Sequence, residues 1–103
     1  MNLVEQEKIC KLFALYGELF TENQKELFIS YYFDDMSLQE ISDNLNVSRN
    51  AIYSQLKRIE NSLKTYESKL HLQEYYDKLN SLLDSNLNKE ELVKEIKKLG
   101  GNY

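Results

Sequence analysis

Several residue types that define other protein classes are scarce or missing in this chain. It contains no proline and no tryptophan, and its three glycines lie outside the segment from Glu18 to Leu99. Because proline and glycine interrupt helices most strongly, this segment can form helices without such breaks. The single cysteine cannot form an internal disulfide, which is typical of proteins in a reducing compartment.

Long apolar runs are missing as well. No run of about 18 apolar residues occurs, which excludes a membrane-spanning helix, and Met1 to Glu5 lacks the charged and then apolar layout of a signal peptide. We therefore expect a cytoplasmic protein with no membrane partner. Hydrophobic residues make up 42% of the 103 residues and charged residues 29%, which fits one folded domain with a modest core.

The residue patterns that carry catalysis or bind metals are also lacking. The sequence has no glycine-rich phosphate loop, and His71 is its only histidine. Cys10 lies beside an apolar helix face, so we interpret it as a small buried side chain. Asp34 and Asp35 precede a helix cap without a third carboxylate, which favours a solvated turn over a metal or acid–base pair. The sequence thus predicts no enzymatic activity, no metal and no cofactor.

Two consecutive helix starts organise the middle of the chain. Ser37 and Glu40 form a capping box, and Ser48 is a second N-cap candidate after the turn at Asn46 and Val47. A helix-turn-helix typically consists of a short helix, a tight turn and a longer helix, with apolar residues where the two helices pack together. The predicted inner residues are Leu38, Ile41 and Leu45 of the first helix and Ile52, Leu56 and Ile59 of the second.

Further helices are predicted before this motif. Apolar residues recur at helical spacing from Ile9 to Tyr16, and Gly17 is predicted to end that helix. Thr21 and Gln24 form another capping box, which opens a helix with an inner apolar stripe. That stripe contains Leu27, Phe28, Tyr31 and Tyr32, and we interpret it as core.

The apolar spacing continues beyond the motif. A helix from Arg49 to Leu70 would be about 33 Å long, and its distal half is predicted to project beyond the small head. A second apolar stripe runs from Leu72 to Leu87, and Asn88 with Glu91 opens a last amphipathic helix. We expect this apolar surface to be buried by self-association, and a two-fold homodimer would present two recognition helices.

Charge is unevenly distributed along the sequence, which has a net charge of −4. The segment 45–64 carries four basic residues against one acid, whereas the segment 21–44 carries six acids against one lysine. A cationic helix of this kind can contact phosphates, although the same residues also suit an ordinary solvated surface. The residues predicted to contact nucleic acid are Ser48, Arg49, Asn50, Tyr53, Ser54, Lys57, Arg58, Asn61 and Lys64.

These residues have different predicted roles. The first turns of a recognition helix reach base edges in the major groove, and there arginine can pair with guanine and asparagine with adenine. Lysine and arginine farther along the helix are better placed for phosphates. The base-edge candidates are Arg49, Asn50, Tyr53 and Ser54, and the phosphate candidates are Lys57, Arg58 and Lys64.

Two resemblances to known families rest on these motifs. Residues 37–58 resemble the helix-turn-helix of sigma-factor region four, and a longer stretch, from about residue 12 to residue 72, resembles the YlxM-like family of small bacterial helix-turn-helix proteins. In the general motif a small residue stands where this chain has Ser42, and a turn glycine where it has Asn46. The longer resemblance is carried by Tyr16-Gly17, Thr21-Glu22-Asn23-Gln24, Tyr31-Tyr32, Asp34-Asp35, Ser37-Leu38, Glu40-Ile41, Asn46-Val47-Ser48-Arg49, Ala51-Ile52-Tyr53, Lys57-Arg58, Tyr66-Glu67 and Lys69-Leu70-His71-Leu72.

Together these observations predict an all-α protein. We expect a helix-turn-helix head, winged-helix-like or sigma region four-like, at residues 1–70 and a helical extension for oligomerisation at 71–103. The family resemblance implies a regulator that binds double-stranded DNA and a link to the signal recognition particle pathway. The alternative hypothesis is an accessory that binds the RNA or protein of that particle without reading a DNA sequence.

Overall fold

All regular structure in the computed structural model, which describes residues 2–100, is helical. This confirms the all-α prediction, and because residues 2–100 contain no strand, the head has no wing. Residues 101–103, the end of the predicted extension, lie outside the described residues. The helices are α1 (Leu3–Tyr16), α2 (Glu22–Tyr32), α3 (Leu38–Leu45), α4 (Arg49–Leu70), α5 (Leu72–Leu83) and α6 (Lys89–Gly100), with a 3₁₀ turn at Gly17–Leu19 after α1.

The predicted capping residues begin the helices. In both capping boxes the hydroxyl accepts a bond from a backbone N–H three residues on, and the later side chain accepts one from the backbone N–H of the cap. Thr21 caps α2 in this way, and Ser37 caps α3. The Ser48 hydroxyl accepts a bond from the Ala51 N–H at 3.1 Å and caps α4. Local sequence therefore determines where each of these three helices starts.

The chain divides into two compact units at the junction of Leu70 and His71. His71 has the left-handed backbone conformation, with φ 57° and ψ 28°, and this residue ends α4 and precedes α5. The helix is therefore broken at His71, although neither proline nor glycine is present there. Below, the head is residues 2–70, and the hairpin is residues 71–100, in which α5 and α6 pack against each other.

The core of the head joins all four of its helices. Phe28 is fully buried, and its ring stacks on Phe13 at a centroid distance of 4.0 Å and on Tyr32 at 4.4 Å. Cys10 packs at the edge of this core, and burial raises the pKa of its thiol, in keeping with an unreactive side chain. The buried hydrophobic residues are Ile9, Leu12, Tyr16, Phe20, Leu27, Phe28, Tyr32, Ile41, Ile52, Leu56, Ile59 and Leu63.

The distal half of α4 differs from the prediction. It was expected to project beyond the head, but α1 packs along it, and Leu63 is completely buried. The Tyr16 hydroxyl donates a hydrogen bond of 2.6 Å to Glu67 Oε1, near the end of α4. The prediction was wrong because it did not place the first helix, α1, against the distal half of α4. Leu45, predicted to be an inner residue, is 56% exposed.

Gly17 is the C-cap of α1, as predicted, and its backbone there is right-handed. Its φ is −56°, which any residue adopts, and the chain continues into the 3₁₀ turn. A Cβ at this position would lie 3.3 Å from the Phe13 ring, which is closer than ordinary van der Waals contact. The absence of a side chain at Gly17 therefore lets the turn approach the aromatic core.

Asn46 provides the sharp turn between α3 and α4. Its φ of 58° and ψ of 41° are left-handed, and its N–H donates to the carbonyl of Ser42. We expect Asn46→Ala to lower the free energy of unfolding by about 1–2 kcal/mol, because a Cβ without a local hydrogen-bonding group is unfavourable there. Asn46→Gly should stay within about 0.5 kcal/mol of the wild type. Urea unfolding of both variants measures this, and equal losses would contradict the account.

Candidate nucleic-acid interface

The residues predicted to contact nucleic acid lie along the outer side of α4. All nine are exposed, while the apolar stripe of the same helix faces the core. We call these nine the α4 edge. The edge is made of Ser48, Arg49, Asn50, Tyr53, Ser54, Lys57, Arg58, Asn61 and Lys64.

Most side chains of the α4 edge are available for a ligand. Ser48 is an exception, because its hydroxyl is the helix cap. Among residues 2–100, the side chains of Arg49, Asn50 and Arg58 make no hydrogen bond or ion pair, and the same holds for Ser54, Asn61 and Lys64. Guanidinium and ammonium groups in this state can bind a phosphate or a base without first breaking an internal contact.

Lys57 is held by Tyr53 and by Glu60, and the sequence did not single out Glu60. Its ammonium lies 3.4 Å from Glu60 Oε2 and 5.6 Å from the centre of the Tyr53 ring. Glu60 is a buried carboxylate on the inner flank of α4, and its Oε1 accepts a hydrogen bond from the Tyr32 hydroxyl of α2. These contacts connect the core of the head to the α4 edge.

Electrostatics at this position follow from the Glu60 carboxylate. It is the main cause that raises the pKa of Lys57, so Lys57 stays protonated throughout the neutral range. The pair is nearly neutral as a unit, and therefore Lys57 contributes less to the cationic field than Arg49, Arg58 or Lys64. The only sequence signal for this pairing was the i,i+3 spacing of Lys57 and Glu60.

The geometry of α3 and α4 suits a groove-binding motif. α3 packs against α4 through Ile41, and the buried Ser42 donates from its hydroxyl to the Gln39 carbonyl at 2.9 Å. Ser42 is a small residue, and its position in α3 is buried. In such a motif the first turns of the second helix enter the major groove, and here those turns carry Arg49, Asn50 and Tyr53.

Within residues 2–100, the other candidate metal-binding residues do not form a site. No group of three or more potential metal ligands occurs in the described part of the chain. Asp34 and Asp35 lie in an exposed turn, and Asp35 has a positive φ of 54°. His71 Nδ1 lies 3.1 Å from Glu74 Oε2, next to the break between α4 and α5.

Comparison with known proteins gives one consistent result. The profile of the UPF0122 family, described as "Putative helix-turn-helix protein, YlxM / p13 like", matches residues 3–100. A UPF0122 protein of Latilactobacillus sakei is 40% identical over 85 residues, which cover 82% of this chain and 75% of the relative. The UPF0122 protein YofM of Lactococcus lactis is 40% identical over 95 residues, covering 92% and 80%. A UPF0122 protein of Streptococcus pyogenes serotype M5 is 46% identical over 79 residues, covering 74% and 70%.

Proposed function

Because the chain belongs to the UPF0122 family of YlxM/p13-like helix-turn-helix proteins, we propose that it is a regulatory protein that binds double-stranded DNA through the α4 edge. The observation that carries this proposal is the side-chain arrangement of α4. The apolar side is buried in the head, and the opposite side exposes arginine, asparagine and lysine that have no internal partner in residues 2–100.

We assign the two ends of the edge different tasks. Arg49 and Asn50, in the first turn, are placed for base edges, together with Tyr53 and Ser54 in the next. Arg58 and Lys64, farther along, are placed for phosphates. Lys57 is paired with the buried Glu60, so we expect it to orient Tyr53 in addition to meeting a phosphate.

The first test compares a base-reading variant with a phosphate-contacting one. Arg49→Ala should weaken binding to the tightest duplex selected from a random pool by about 10-fold or more, with a smaller loss on random duplex. Lys64→Ala should weaken binding to all sequences alike and reduce the slope of log affinity against log salt by about one. Fluorescence anisotropy measures both effects.

The outcome that would contradict this assignment is also specific. Equal losses on selected and random duplex for both variants would show that Arg49 reads no base. A wild-type protein that fails to bind random duplex at about 50 mM salt would reject DNA binding itself, because phosphate contacts are strongest at low salt.

A second candidate function is an accessory role in the signal recognition particle pathway, with contacts to the particle's RNA or protein. The negative net charge of the chain, −4, favours this second function. Most of the excess of acidic residues lies in the segment 21–44, which precedes α4 in the sequence. Long duplex DNA repels such a surface more than a short folded RNA or a protein does. This candidate function would be supported if the wild-type protein binds the particle's RNA or protein but does not bind duplex DNA. It would be rejected if the protein binds duplex DNA but neither the RNA nor the protein of the particle.

We further propose that the protein acts in the cytoplasm as a homodimer. In residues 2–100, none of the helices has the length and apolarity needed to cross a membrane. A two-fold dimer would present two α4 edges to two half-sites, which would compensate for the small number of free cations on each edge.

A further inference from the structure

A buried carboxylate lies directly behind the exposed edge of α4. The Glu60 side chain is 7% exposed, and one of its oxygens accepts a hydrogen bond from the Tyr32 hydroxyl, while the other lies 3.4 Å from the Lys57 ammonium. The carboxylate lines a cavity of about 190 Å³ whose walls include Tyr53 and Lys57, both of them residues of the α4 edge. Glu60 is too deeply buried to touch a duplex itself, so any effect it has on the edge passes through these two residues.

The ion pair between Lys57 and Glu60 differs from an ordinary surface pair. Lys98 and Glu95 have the same i,i+3 spacing, but the side chain of Glu95 is 41% exposed. Exposed pairs of that kind contribute little, because water and salt replace either partner. A buried carboxylate that loses a partner is not compensated by water in the same way, so Glu60 holds its lysine more strongly than a surface glutamate does.

The ammonium of this pair can still be reached from solvent. The Lys57 side chain is 49% exposed, and its ammonium lies 5.6 Å from the centre of the Tyr53 ring, which is itself 52% exposed. A DNA phosphate that approaches the α4 edge can therefore meet Lys57. Its oxygens would compete with Glu60 Oε2 for the same ammonium.

We propose that Glu60 is a positioning residue that holds Lys57 back from DNA phosphates and thereby limits the affinity of the α4 edge for duplex of random sequence. The proposal rests on the DNA-binding function proposed above and adds a control of its strength. A phosphate takes the ammonium only where the bound duplex holds it close enough to outcompete the carboxylate. On random duplex, where no single register is held, Lys57 stays on Glu60, and Arg58 and Lys64 supply phosphate contacts.

The main test replaces Glu60 with glutamine in the full chain and measures binding to a random-sequence duplex by fluorescence anisotropy over a range of salt concentrations. Glutamine keeps an oxygen that can accept the Tyr32 hydroxyl, but it loses the charge that holds Lys57. Glu60→Gln should bind about 5–10-fold more tightly at about 50 mM salt and steepen the slope of log affinity against log salt by about one, because one more counterion is released. Adding Lys57→Ala should remove both gains.

Glu67→Gln is the matched control for the loss of one negative charge. Glu67 lies on the same helix and also accepts a hydrogen bond from a tyrosine hydroxyl, that of Tyr16, but it is about 15 Å along the helix from Lys57. This variant should leave the salt slope unchanged. Equal gains in the two glutamine variants would show a general charge effect and overturn the proposal, as would a gain in Glu60→Gln that survives Lys57→Ala.

A second variant tests the same competition without touching the buried carboxylate. Lys57→Ala alone changes an exposed side chain, and we expect it to leave the salt slope on random duplex unchanged, whereas Lys64→Ala reduces that slope by about one. If Lys57→Ala reduced the slope as much as Lys64→Ala does, Glu60 would not hold Lys57 back, and the proposal would be wrong.

The pKa of Lys57 in the free protein gives a readout that needs no DNA. The Glu60 carboxylate is the main cause that raises this pKa, so Glu60→Gln should lower it towards the ordinary value of lysine, as measured by NMR of labelled lysine side chains. An unchanged pKa would overturn the proposal. A wild type that binds no duplex at about 50 mM salt would reject the DNA-binding function and this proposal together. Unchanged duplex binding in Glu60→Gln, with a wild type that does bind, would reject this proposal alone.

Discussion

Replacing Phe28 with alanine is expected to lower the free energy of unfolding by about 3–5 kcal/mol, the largest effect among the single substitutions considered for the head. Phe28 has no exposed surface, and its ring stacks directly on both Phe13 and Tyr32. Alanine would remove the ring at the point where α1 meets α2. Because the aromatic neighbours are held by their own helices, we expect a cavity to remain. Urea unfolding followed by circular dichroism measures the loss.

Phe33 provides a matched control for this prediction. It is also a phenylalanine close to Phe13 and Phe28, with ring centroids at 6.4 Å and 6.1 Å, but it is 54% exposed. Phe33→Ala should therefore cost about 1 kcal/mol or less. If Phe28→Ala cost no more than Phe33→Ala, the aromatic cluster would not be the core of the head.

The second large effect is expected at the hydrogen bond between Tyr32 and Glu60. Tyr32→Phe should lower the free energy of unfolding by about 1.5–3 kcal/mol, since it removes the hydroxyl donor from a buried carboxylate while the ring packing is retained. Burial, followed by the bond to Glu60, raises the pKa of Tyr32, so the hydroxyl remains a donor throughout the neutral range. Thermal or urea unfolding at neutral pH measures this loss.

A double replacement tests whether the two side chains act as a pair. Glu60→Leu with Tyr32→Phe removes both polar groups, so it should cost less than the sum of the two single changes. If the free-energy losses of the two single changes simply add in the double variant, the pairing of Tyr32 with Glu60 would be contradicted.

The raised pKa of Tyr32 also predicts how stability depends on pH. Its contribution is fully present below about pH 10 and is lost above it, where the tyrosine of the unfolded chain ionises. Tyr32→Phe should lack that alkaline loss of stability.

The local signals in the sequence predicted the fold well. Thr21, Ser37 and Ser48 begin their helices because a cap depends on the few residues that follow it. The sequence could not show that α1 covers the distal half of α4, because that contact joins residues as far apart as Tyr16 and Glu67. Nor did it reveal the break at His71, where a histidine takes a left-handed conformation without proline or glycine.

The exposure of the α4 edge was predictable from the sequence, because helical periodicity is a local signal. Helical periodicity separates the buried from the exposed side of α4, and all nine predicted residues lie on the exposed side. The burial of Glu60 was not predictable from periodicity, since it depends on Tyr32, 28 residues earlier in the chain. Pairing with this buried carboxylate offsets the charge of Lys57, which the charge pattern alone could not show.

The central claim is that the exposed edge of α4 is the surface that contacts nucleic acid. Titration of ¹⁵N-labelled protein with a random-sequence duplex at low salt, followed by amide chemical shifts, tests it most directly. The account predicts that the largest changes fall on residues 48–64, led by Arg49 and Asn50, with little change in the amides of α6. Changes centred on the hairpin, or no change at any ratio of duplex to protein, would contradict it.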